Sequence, residues 1–182
     1  MSPDTSPSRS LNRRQMLLEV VGGGVLLAGC TGDEEQSELG PEQDGNETID
    51  PRLQLEDVTL SSAFVIELVE PGVGEQLTTV HWHGEYSHWH FGPLELPFST
   101  ARTVEVVFND RDLNKVPLGQ SETYQVAVKR TTETPKDLFE VEIGGSLVDI
   151  RGTSQNRGKL VFQLENDGEV VWTSPALSVV VS

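Results

Sequence analysis

Val80-His81-Trp82-His83-Gly84-Glu85-Tyr86-Ser87-His88-Trp89-His90 holds all four histidines of the 182-residue chain and two of its three tryptophans. It reads His-Trp-His, a spacer, then His-Trp-His again. Side chains alternate faces along a strand, so a period of two places His81 and His83 on one face and Trp82 on the other. The second half repeats this with His88, Trp89 and His90. With Gly84-Glu85-Tyr86-Ser87 as the loop, a hairpin is expected in which His83 pairs with His88 and His81 with His90. All four imidazoles then share one face, with opposed Cβ atoms roughly 4.5–5.5 Å apart.

Outward from this hairpin the β pattern continues. Leu53-Gln54-Leu55-Glu56-Asp57-Val58-Thr59-Leu60 alternates, Ala63 to Leu68 follows, and Pro71-Gly72-Val73-Gly74 marks a turn. Gly92-Pro93 and Pro97 break the chain off after Phe91. Thr103 to Phe108, Thr123 to Val128, Leu138 to Ile143, Leu147 to Ile150, Lys159 to Leu164, Glu169 to Trp172 and Ala176 to Val181 read as further strands. The Asp167-Gly168 pair between two of them favours a tight primed turn. No stretch shows helical periodicity, and short β-rich runs punctuated by turns indicate a sandwich. The expectation for residues 52–182 is therefore an all-β, antiparallel sandwich of about seven to nine strands. Val104, Val106, Phe108, Val126, Val128, Val161 and Leu177 are its expected core.

From about Thr103 to Val181 the chain resembles the Ig-like modules of many prokaryotic surface proteins. The resemblance is carried by Val106-Val107-Phe108-Asn109-Asp110-Arg111-Asp112, Ile150-Arg151-Gly152, Leu160 to Leu164, and Ser174-Pro175 before a Val-rich strand. It implies an Ig-like sandwich and a role at the cell surface. Some exported relatives of that kind carry histidines in the turn before the last strand pair, where this chain has Asn166, Asp167 and Glu169.

Residues 1–30 read as an export signal. Arg13-Arg14 precede Met16-Leu17-Leu18 and the apolar run Val20 to Ala28, with Glu19 as the one charge inside it. The pair of arginines resembles a twin-arginine signal. Leu27-Ala28-Gly29-Cys30 resembles a lipobox, which implies lipidation at Cys30 and attachment to the outer face of the cytoplasmic membrane. Residues 31–51 follow as a tether. Eight acids stand between Thr31 and Asp50 with no Lys or Arg, a composition that cannot bury enough surface to fold. Like charges extend such a segment to roughly 3.3–3.6 Å per residue. Asn46-Glu47-Thr48 matches a glycosylation acceptor at Asn46.

The formal net charge is −16. Nucleic-acid binders need a basic footprint, so that class of partner is excluded. The acidic balance resembles that of proteins from salt-loving archaea. Cys30 is the single cysteine, and both methionines, Met1 and Met16, precede it, so no sulfur ligand follows.

Val80-His81-Trp82-His83-Gly84 also resembles the first copper motif of multicopper oxidases. The resemblance implies a pair of copper-binding imidazoles. The oxidase centre needs eight histidines and a cysteine, which excludes that activity within a chain of four histidines. Without a thiolate, blue copper is excluded as well, and so is cuprous-ion carriage by soft ligands. What remains is Cu²⁺ or Zn²⁺, with Ni²⁺ behind them, held by His81, His83, His88 and His90. Glu85, Tyr86 and Glu95 are candidates for a spare ligand or a supporting contact. Nothing resembles a nucleophilic triad or a phosphate loop, and an enzyme would need an open metal position with Glu85 as base. A different class of reading is an Ig-like adhesion or assembly module that uses no metal and meets another surface protein.

Overall fold

The computed structural model describes residues 49–182; the twin-arginine pair Arg13-Arg14, the lipidation site Cys30 and the acceptor Asn46 lie outside the described residues. A 3-10 turn at Pro51–Leu53 leads into eleven strands: β1 (Ile66–Val69), β2 (Gln76–Trp82), β3 (Ser87–His90), β4 (Leu94–Leu96), β5 (Ala101–Phe108), β6 (Tyr124–Arg130), β7 (Phe139–Gly144), β8 (Leu147–Gly152), β9 (Arg157–Asn166), β10 (Glu169–Thr173) and β11 (Leu177–Val181). No helix among these residues is long and apolar enough to cross a membrane.

The strands form a sandwich of two sheets. One has six strands in the order β3-β2-β1-β5-β8-β7. The other is built on β9, which carries β6 along one edge and, along the other, β10 and then β11, with β4 beyond β11. Between the sheets lie fully buried Phe108, Phe162, Ile66, Leu68, Ile150, Leu160 and Leu164. Phe108 meets Trp172 edge to face at 5.5 Å.

Three features depart from the sequence expectation. The strand count is eleven rather than seven to nine, and one of them, β4, is a three-residue strand between Pro93 and Pro97 that no sequence run marked. Leu94 and Leu96 of β4 are nonetheless buried, and the strand pairs with Val179–Val181 in parallel, so the sandwich is not wholly antiparallel. Leu53 to Leu60 is not a strand: its 3-10 turn and an isolated bridge between Gln54 and Thr59 fold it back on itself. Gly92 to Pro93 is a cis peptide bond.

The core expectation holds for Val104, Val106, Phe108, Val126 and Leu177 and fails for Val161. In β9, Lys159 and Gln163 must face water, and Val161 shares their parity; Leu160, Phe162 and Leu164 take the inward face. Val128 is half-buried against the core. Asp167 and Gly168 both adopt positive φ, 50° and 80°, as the primed turn requires.

Gly158 marks a close approach between β9 and the loop before β7. A Cβ there would lie 2.5 Å from Leu138 Cδ2 and 2.6 Å from Thr134 Cγ2. Thr134 cannot retreat, because its hydroxyl donates to the Lys159 carbonyl at 3.0 Å and accepts from the Lys159 amide at 2.7 Å. Gly158→Ala is expected to cost about 1–3 kcal/mol by overpacking. A thermal melt of the purified protein reads this directly, and an unchanged Tm refutes it.

Candidate metal centre

The histidine hairpin lies at one edge of the six-stranded sheet. Its register is Thr79↔His90, Val80↔Trp89, His81↔His88 and Trp82↔Ser87. The expected pairs, His83 with His88 and His81 with His90, are therefore displaced by two residues. The turn is His83-Gly84-Glu85-Tyr86, closed by the His83 amide donating to the Tyr86 carbonyl at 2.9 Å, rather than Gly84 to Ser87. A shift of two preserves parity, so the four histidines still share a face. The tryptophans keep the opposite face but are offset from each other.

That inner face fixes the hairpin to the sandwich. Val80 is fully buried, and Trp89 packs edge to face on Phe162 at 5.8 Å. Trp89 Nε1 donates to the Pro175 carbonyl at 2.8 Å, which satisfies its one polar atom. Trp82 Nε1 donates to Asp50 Oδ2 at 3.0 Å. On the histidine side, the buried Thr79 hydroxyl donates to the Ile66 carbonyl at 3.0 Å; Thr78, on the tryptophan side, donates to the His90 carbonyl.

His81, His83 and His90 offer ring nitrogens that all lie within 4.8 Å of one another. His81 and His90 are nearest, with ring centroids 3.9 Å apart, while His81 and His83 are 6.3 Å apart. His88 stands outside that group. It stacks nearly parallel on His83 at 5.1 Å and tilts against His90 at 4.5 Å. Tyr86 extends the stack over His83 at 5.0 Å, and Phe64 meets the His81 ring edge-on at 5.1 Å.

Among the proposed helpers, Glu85 is exposed in the turn, and Glu95 lies in β4 of the other sheet. Neither joins the three-histidine group.

Two observations test whether a cation fits. His90 Nε2 is buried and has no hydrogen-bond partner. An unmet buried polar group costs about 1–3 kcal/mol, so this atom gains from any ligand that reaches it. His81 has its pKa lowered, first by burial and then by the positive charge that His90, His83 and His88 would carry. A depressed pKa keeps His81 in the neutral form that metals require. Tetrahedral bonds of about 2.0–2.1 Å put ligand nitrogens about 3.4 Å apart, so a bound ion would draw the three rings together by a modest rotamer adjustment.

Several contributors were not visible in the sequence reading. Phe64 stands inside the apolar run Ala63 to Ile66, and Pro175 lies 86 residues from the Trp89 it receives. Asp50 matches the acidic tether in composition, yet it caps the 3-10 turn and accepts from Trp82 Nε1.

No protein-family model matches the chain. No curated protein matches it either. Among solved structures it is similar to the crystal structure of the S-layer protein SbsC domains 4 and 5, at 15% identity and a TM-score of 0.33, over 65% of this chain and 76% of that one. A likeness that distant carries no argument about function.

Proposed function

We propose that this chain is an exported, lipid-anchored surface protein that captures, buffers or delivers a divalent transition metal, with His81, His83 and His90 as ligands. The observation that carries the reading is the convergence of those three imidazoles, one of which, His90, has a buried Nε2 that lacks a partner. Three nitrogens leave a fourth position for water or an exchanging ligand, the arrangement of an open zinc site. Cu²⁺ is the other fit, since imidazole suits it and the Irving–Williams order favours it; Ni²⁺ ranks behind. His81 and His90 are half-buried and His83 is exposed, which supports a group open to solvent where an ion can come and go. The anchor at Cys30 and export through Arg13-Arg14 rest on the leader motifs alone, and they predict a protein on the outer face of the membrane.

A metal-free adhesion or assembly module is the second reading. Phe91, 71% exposed, and Tyr86, 62% exposed, flank the histidine face and favour it.

Calorimetric titration of the full chain with Zn²⁺ and Cu²⁺ decides between them. One equivalent bound with micromolar or tighter Kd is expected; no heat with either ion sinks the metal reading. The pH dependence has a defined sign. Ligand imidazoles must shed their protons, so affinity falls as pH drops through the ordinary imidazole range near ~6.5. Because His81 titrates below its ordinary value when folded, the unfolded chain takes that proton first, and metal-free stability declines as pH falls below ~6.5. Affinity that is flat from pH 8 to 5 refutes histidine ligation.

A further inference from the structure

His83 is the least anchored of the three ligands. It lies beyond the last strand pair, Trp82↔Ser87, so the ladder does not fix it. A second device grips the residues on either side. Asp50 Oδ1 accepts from the Arg52 amide at 2.9 Å and from Arg52 Nε at 3.0 Å, and Oδ2 accepts from Arg52 Nη2 at 2.7 Å. The guanidinium lies over the Trp82 ring, 4.5 Å from its centroid, and Nη2 also donates to the Gly84 carbonyl. Trp82 Nε1 returns to Asp50 Oδ2 at 3.0 Å. Asp50, Arg52, Trp82 and Gly84 thus close a ring of contacts across 32 residues of sequence, with His83 between the last two.

We infer that Asp50 and Arg52 are positioning residues of the metal centre: their clasp on Trp82 and Gly84 holds the His83 imidazole where it meets His81 and His90. This rests on the metal reading above. The chemistry explains why an arginine is needed. One planar fork must bind a carboxylate side-on, stack on an indole and reach a carbonyl, which a lysine ammonium cannot do at once. An exposed ion pair adds little to fold stability, so the effect belongs in binding rather than in melting.

The test uses the full chain and Zn²⁺ alone. Arg52→Ala is expected to weaken Zn²⁺ binding by about 10–100-fold, the range for residues that orient a ligand, with Tm nearly unchanged. Arg52→Lys should recover only part of that loss. Arg102→Ala removes another surface ion pair, with Glu70, away from the hairpin, and should leave affinity as in the wild type. Wild-type affinity in Arg52→Ala overturns the inference. A metal-free readout separates the two ideas: the His83 amide should exchange hydrogen faster in Arg52→Ala than in the wild type. If the wild type binds neither Zn²⁺ nor Cu²⁺, the metal reading fails on its own, and unaltered exchange at His83 then removes the clasp as well.

Discussion

Alanine at His81, His83 or His90 is expected to weaken Zn²⁺ or Cu²⁺ binding more than about 100-fold, beyond what loss of a merely orienting neighbour costs. Alanine at His88 should leave affinity within about tenfold of the wild type. The asymmetry comes from geometry, since the four residues are chemically identical and share one face. His88 directly opposes His81, but its ring is spent stacking on His83, and its nitrogens fall outside the converging group. Calorimetry on the four single variants reads the ranking. Four equal losses would mean a closed four-histidine site, and a loss confined to His88 would overturn the three-ligand assignment. Loss of His90 removes the unpartnered buried nitrogen along with the ligand, so His90→Ala should lose metal without losing much stability.

Phe162→Ala is expected to destabilise the domain by about 3–5 kcal/mol, the range for emptying a buried aromatic site. Phe162 is fully buried in β9, the strand that pairs with β6, β10 and β11, so the void opens where three pairings meet. Neighbouring strands cannot collapse into it without breaking those ladders, which keeps the cost near the upper end. The melting temperature should drop by roughly 10 °C or more. Because Trp89 rests on Phe162, the hairpin loses part of its backing, and metal affinity should fall together with stability. A Tm within two degrees of the wild type would show that the core repacks and that β9 is not its centre.

The sandwich was legible because period-two alternation survives wherever one face of a strand is wet. It misled at β9, where Val161 is apolar but shares its face with Lys159 and Gln163. β4 escaped because three residues are too few for a pattern, and its parallel partner is distant in sequence. For the site, the segment and the shared face of its histidines could be read directly. The register could not, because pairings differing by two residues give the same faces; the turn geometry at His83 to Tyr86 chose between them. The Asp50–Arg52 clasp was hidden for a compositional reason: an acid at the end of an acidic run looks like more tether. Its capping of Pro51–Leu53, its ion pair with Arg52 and its bond to Trp82 set it apart.

The Trp89 to Pro175 hydrogen bond also sets a schedule. The carbonyl that receives the indole is 86 residues downstream, and at ~5–20 residues per second the ribosome takes roughly 4–17 s to make it. Throughout that interval the histidines exist without the surface that backs them. A peptide spanning residues 80–90 reproduces this unfinished condition, without the Phe162 ring or the Pro175 carbonyl that backs Trp89.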